Sequence, residues 1–255
     1  MKFQAFVFSG FDINIIQWCL IFLAAFIIGL SKAGIGSISI IAVTIWAWIF
    51  GSRPSTGMVL PMLIMADVLA VYYYKRHAQW SHLIKLMPWI VLGVILAAWY
   101  GKHIDAIVFK RLMAGIILIS LAALFWWERK PLGKVPSHWL FASSMGLATG
   151  FTSMIGNLAG GFSNVYFISM RVFKDHFIGT AAWMFFILNL IKLPFHIWSW
   201  HTVTSDTLKL DLLLLPAIVL GFFIGVKLVK RLSDHTFRKV ILWLTAISSL
   251  LVLFQ

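Results

Sequence analysis

Long apolar runs alternate with short polar clusters along most of the chain. The runs cover 13–30, 37–51, 57–74, 84–101, 108–127, 138–154, 158–170, 177–198, 209–229 and 236–254. They are continuous rather than alternating, so they predict helices and not the strands of a membrane barrel. A helix that crosses a bilayer needs about 20 predominantly apolar residues. Runs 37–51 and 158–170 are short of that. Each follows a Gly-rich interruption, "GLSKAGIG" (29–36) and "GFTSMIGNLAGG" (150–161).

Composition makes these runs membrane segments. The 255 residues are 61% hydrophobic and 11% charged, against about 25% charged in a typical globular domain. Backbone groups in lipid must be satisfied within each segment, so the expected fold is an all-α polytopic membrane protein forming a single transmembrane domain, 1–255. The net charge of +13 changes this little. Lys and Arg collect between the runs, as the positive-inside rule expects, and no basic face is left for nucleic acid. The single cysteine, Cys19, excludes an internal disulfide. Seven of the eight histidines sit at run ends, and no i, i+4 pair within a span suggests haem or metal, so no cofactor is expected. His196 is the exception and stays a minor candidate.

The ten runs divide into two fives. "MPWIVLGVILAAWYGKHIDAIVFKRL" (87–112) aligns without gaps to "LPAIVLGFFIGVKLVKRLSDHTFRKV" (215–240), pairing Pro88 with Pro216 and Gly93 with Gly221. "PMLIMADVLA" (61–70) matches "MFFILNLIKL" (184–193) and brings Asp67 to the level of Asn189. Gly29-Leu-Ser-Lys32 meets Gly150-Phe-Thr-Ser153. The expected architecture is two repeats, 13–127 and 138–254, of four to five segments each. An odd number of crossings inverts the second repeat. If every run crosses, most Lys and Arg share one side, which is then cytoplasmic, and both termini lie outside.

Gly-interrupted helices in matching positions of two halves point to a transporter's binding site. Irregular backbone at depth is tolerated where it lines a cavity, and a helix starting after the break offers free N–H groups to an anion. The candidate substrate-binding residues are Ser31, Lys32, Gly34 and Gly36 in the first break, and Thr152, Ser153, Asn157 and Gly160 in the second. Asn189 and Lys192, three residues apart on one helix face, join them. Packing explains Gly93 and Gly221 better. Lys32 and Lys192 each have a second reading, as side chains that snorkel to the interface. Asp67 reads as the only acid deep in an apolar run. It either carries a coupling proton or pairs with a lysine. The seven arginines assigned to run ends leave no obvious fork for a substrate.

"GLSKAGIG", "LPMLIMADVLAVYYYKRHAQW", "TGFTSMIGNLAGG" and "FIGTAAWMFFILNLIKLPFH" together resemble the sulfite exporter TauE/SafE family, the TSUP permeases. The resemblance covers nearly the whole chain in both halves. It implies a bacterial-type inner-membrane carrier with a duplicated four- or five-helix unit, whose substrate is sulfite, a sulfonate or a related small organosulfur anion. The chain departs from the family's usual longer glycine run at Gly34-Ile-Gly36-Ser37, and from its proline at Gly160-Gly161-Phe162.

The leading expectation is therefore a secondary transporter of a small anion in a multi-pass inner-membrane protein. Its partners are that anion, a coupling proton or other ion, and the bilayer. No Walker-type loop or Gly-x-Ser-x-Gly, His-Glu-x-x-His or acid-pair motif supports ATP hydrolysis or an intramembrane enzyme. The other alternative is a membrane scaffold or assembly factor, which would not need Lys32 and Asp67 at depth.

Overall fold

The computed structural model describes residues 6–8, 11–105, 107–109, 111–112, 115, 138–233, 235–237, 239–240 and 243. Runs 108–127 and 236–254, the fifth segment of each half, lie largely outside the described residues. Apart from a short antiparallel hairpin, Phe6–Phe8 with Phe11–Ile13, the described elements are helical. In chain order they are α1 (Ile15–Lys32), a 3-10 turn (Gly36–Ile38), α2 (Ser39–Phe50), α3 (Ser52–Met58), α4 (Leu60–Tyr74), α5 (Trp80–His103), α6 (Trp139–Gly156), α7 (Gly160–Ser169), α8 (Lys174–Pro194, ending in a π turn, Phe195–Ser199) and α9 (Ser205–Lys230). Asn14 and Thr204 start α1 and α9 with capping boxes, each satisfying two donors that the helix leaves open.

Among the described residues, five stretches are long and apolar enough to cross a bilayer: Ile15–Lys32, Ser52–His77, Trp80–His103, Lys174–Ser199 and Ser205–Lys230. The run expected at 57–74 starts earlier, at Ser52, and takes Arg53 inside the helix. There the guanidinium donates to the carbonyls of Gly101 and Ile104 at the end of α5, so Arg53 caps that helix.

The two short runs are return arms. α2 has 12 residues, about 18 Å of helix, and its far end comes back to the start of α1. The rings of Phe11 and Phe50 meet edge to face, 5.6 Å apart, and buried Trp46 joins Ile21, Ala24 and Ala25 in one apolar cluster. α7 returns along α6 in the same way, with Phe141 stacked on Tyr166 at 6.0 Å. Each Gly-rich break is thus the tip of a helical hairpin.

The hairpins' long arms are seated by a contact made twice. A Cβ on Gly29 of α1 would collide with the Ile218 carbonyl of α9, and one on Gly150 of α6 with the Ile90 carbonyl of α5. Reciprocally, Gly221 abuts the Phe26 carbonyl and Gly93 the Leu147 carbonyl. The alignment that pairs Gly29 with Gly150 and Gly93 with Gly221 carries one set of contacts onto the other. Small residues here let backbones approach where lipid supplies no hydrophobic drive between helices. α4 and α8 pack against each other in the middle and face both tips.

Candidate anion site between two hairpin tips

The first tip turns at Gly34, whose φ of 128° is closed to ordinary L-residues. The second turns at Asn157, which ends α6 in the left-handed region at φ 55°, ψ 30°, a conformation Asn tolerates better than most. The tips touch: a Cβ on Gly160 would lie 3.9 Å from the Gly36 carbonyl. Neither α2 nor α7 has a side-chain N-cap, so the donors at the start of each short helix are not taken up by a capping side chain.

A cavity, part of it open to the outside, lies between the tips and α8. Ser31, Lys32, Gly34, Gly36 and Ser39 line it from the first hairpin, and Ser153, Asn157, Gly160 and Asn164 from the second. Asn189 and Phe185 of α8 close one side. Ile178, Ala181 and Ala182 add an apolar wall. Asp67 and Asn189 are each the sixteenth residue of a 26-residue span, Ser52–His77 and Lys174–Ser199. The site therefore lies near the middle of both.

Its charges form a connected network. Lys32 Nζ is 2.7 Å from Asp67 Oδ1 and stands 4.5 Å above the Phe185 ring. Asn189 Nδ2 donates to the other carboxylate oxygen at 2.7 Å. Fully buried Lys192 donates to Ser153 Oγ at 3.2 Å, to Asn189 Oδ1 at 3.3 Å and to Asn157 Oδ1. Three oxygens surround Lys192 Nζ, as suits an ammonium; one oxygen of Asp67 accepts from Asn189 and the other is ion-paired with Lys32. Asn157 passes the chain on, its Nδ2 donating to the Thr56 carbonyl at 3.0 Å. Because Ser153 Oγ accepts from Lys192, its own O–H is left to donate elsewhere, and Ser153 lines the cavity. Among the described residues two lysines stand against one carboxylate, which with all three in their charged forms leaves one net positive charge.

The geometry brings the sequence candidates together, with two qualifications. Thr152 is not on the wall. Its hydroxyl turns back to the carbonyls of Thr149 and Leu158 at 3.3 and 3.4 Å, because its position on α6 faces the return loop. Lys192 lies behind the wall and touches the cavity only through Ser153, Asn157 and Asn189. Neither lysine snorkels: Lys32 is 9% exposed and paired, and Lys192 is 0% exposed. Ser31 lines the cavity while donating to the Ile28 carbonyl at 2.8 Å, so it offers lone pairs rather than its hydrogen. Asp67 is not the only deep acid. Asp211, expected at the edge of run 209–229, faces inward at 0% exposure with neither oxygen hydrogen-bonded among the described residues. The helix starts at Ser205, which puts Asp211 almost two turns inside it. His196 is buried on the Lys192 side of α8, with Nδ1 2.8 Å from Thr202 Oγ1, and is not part of the cavity wall. Sequence reasoning missed Ser39, Asn164 and Phe185. Ser39 and Asn164 stand in the first turn or so after each break, which was the available signal.

Neither a curated protein nor a solved structure matches the chain. The profile described as Sulfite exporter TauE/SafE matches residues 21–252. That match takes in both hairpins, both central helices and the cavity between them, so the chain belongs to the TauE/SafE sulfite exporter family of multi-pass membrane transporters for sulfur-containing anions.

Proposed function

We propose that the protein is a secondary carrier of sulfite, a sulfonate or a related small organosulfur anion across the inner membrane, with the anion held between the two hairpin tips. The observation that carries this is Lys192. Its ammonium is buried, is bonded to three neutral oxygens, and has no carboxylate of its own among the described residues. An uncompensated buried charge is costly, and an anion in the adjoining cavity would supply the missing negative charge. Ser153, the start of α7 at Gly160, the turn at Gly34–Gly36 and the remaining N–H groups of Lys32 offer donors to its oxygens, while Asn157 and Asn189 relay the field of Lys192. The apolar wall of Ala181, Ala182 and Ile178 suits a short carbon substituent.

In this reading the two halves, 13–127 and 138–254, are inverted repeats within one domain. Rocking of one hairpin and its partner helix against the other exposes the site to each side in turn. Asp67 is the coupling group: a proton on its carboxyl releases Lys32 from the ion pair. The test is uptake of labelled sulfite by vesicles containing the purified protein. Saturable uptake that is lost in Lys192→Met supports the proposal. Vesicles no more permeable than empty ones to sulfite and to methanesulfonate, in both directions and with or without a proton gradient, would overturn it in favour of a scaffold role.

A further inference from the structure

The charges around the cavity define what it can hold. We infer that the occupied site is electrically neutral: it takes a monoanion alone, and a dianion only together with one proton, which sits on Asp67. The inference rests on the anion-site reading above and extends it to the charge class of the substrate and the stoichiometry of coupling.

Among the described residues, the charged side chains that line the cavity or are bonded to its walls are Lys32, Asp67 and Lys192. Their partners suit an ammonium at each lysine and a carboxylate at Asp67. Lys192 is surrounded by three oxygens, and Asp67 is ion-paired with Lys32 through one oxygen and accepts from Asn189 on the other. The sum is one positive charge. A monoanion such as a sulfonate cancels it. A dianion leaves an excess negative charge in a site walled by Phe185, Ile178 and Ala182, where a lone charge is strongly disfavoured. With both lysines in the ammonium form, Asp67 is the group of the three that can take another proton. The step balances simply: one proton from solution joins a carboxylate oxygen, the Lys32–Asp67 ion pair opens, and Lys32 turns its ammonium to the dianion.

The groups facing Asp67 allow this. Lys32 comes from α1, and Asn189 and Lys192 from α8. α3 and α9, which also pack near α4, place no charged side chain in contact with it among the described residues. The other titratable groups on the elements around the site, among the described residues, are buried Asp211 on α9, Tyr74, whose hydroxyl donates to the Ala33 carbonyl at 3.0 Å, and His196 on α8, bonded to Thr202.

Calorimetry of the purified wild-type protein in two buffers of different ionisation enthalpy counts the protons taken up with each anion. Methanesulfonate and sulfate are suitable probes, because neither titrates near neutral pH. The expected result is no proton with methanesulfonate and one proton with sulfate, whose affinity then falls about tenfold for each unit rise in pH. In Asp67→Asn the site carries two positive charges, and sulfate binds with no proton and no pH dependence. In Lys192→Gln the site is neutral, and methanesulfonate binds with one proton. Sulfate binding to the wild type without proton uptake, or methanesulfonate binding with it, overturns the inference while leaving the anion site standing. Binding of neither probe nor of sulfite overturns the anion site itself, and this inference with it. The wild-type counts decide the matter even if either variant fails to fold.

Discussion

The two hairpin tips hold matching places in the fold and differ in chemistry. At the first, Lys32 ends α1 and is neutralised by Asp67. At the second, the aligned position is Ser153, and the lysine comes instead from α8, held by amides and a hydroxyl. The first tip turns on a glycine at positive φ, the second on Asn157, whose side chain is itself part of the site. The glycine contacts that seat the hairpins are thus shared between the halves, while the turn residues and the charges are not. A symmetric pair of Lys–Asp bridges would leave a neutral cavity with no preference for an anion. The single positive charge exists because only one half has an acid at the level of Asp67 and Asn189.

Several substitutions would break or sharpen this comparison. The largest effect belongs to what the halves share. Gly221→Leu and Gly93→Leu each drive a side chain into the opposing backbone, and neither is expected to give monodisperse protein by size exclusion in detergent. Gly36→Ala is the contrast, since nothing lies within 4 Å of an added Cβ. It should fold as the wild type does, and aggregation of this variant would mean that the tips are packed more tightly than described.

The lysines come next. Lys32→Met strands a buried carboxylate, and loss of one partner of a buried pair costs about 3–5 kcal/mol. Lys192→Met strands three neutral acceptors, at about 1–3 kcal/mol. Thermal unfolding without ligand should rank Lys32→Met as the less stable, with Asp67→Asn added to Lys32→Met restoring part of the loss. For ligand binding the order reverses, with Lys192→Met the weaker binder. Equal stability losses would contradict the asymmetry of the two tips.

A smaller change adds charge. Asn157→Asp keeps a residue that tolerates the left-handed turn and gives Lys192 a carboxylate partner. The protein should fold, and its affinity for methanesulfonate should fall about tenfold or more, a loss of roughly 1.4 kcal/mol, measured by calorimetry. The smallest effect is at Thr152, whose hydroxyl stays within its own hairpin. Thr152→Ser should leave anion affinity unchanged within about twofold, or ~0.5 kcal/mol.

Much of this was legible in the sequence because lipid imposes simple rules. Run length and continuity predicted the spans, and two glycine clusters before two short runs marked the breaks. What the runs concealed was direction. A 12-residue apolar helix reads the same whether it crosses or folds back, and only contacts such as Phe11 with Phe50 decide. The partner of Lys32 was equally hidden. Asp67 is 35 residues away, on a helix whose rotation hydropathy does not report, so pairing and proton carriage both stayed open. Thr152 and Ser153 could not be told apart from spacing, because adjacent helical residues point about 100° apart and only the packing of α6 selects the face. Asp211 was missed because hydropathy blurs the end of a run, and the capping box at Thr204 extends the helix upstream of it.

The central claim is that one anion sits between the tips, in reach of Lys32, Ser153 and the start of α7. Selenite is a close chemical analogue of sulfite and an anomalous scatterer. A structure of the protein with selenite should show a single selenium peak in this cavity, within hydrogen-bond distance of Ser153 Oγ, Lys32 Nζ or the Gly160 backbone, and at the same selenite concentration the peak should be weaker in Lys192→Met. A selenium peak elsewhere in the molecule, with this cavity empty at saturating selenite, would contradict the account.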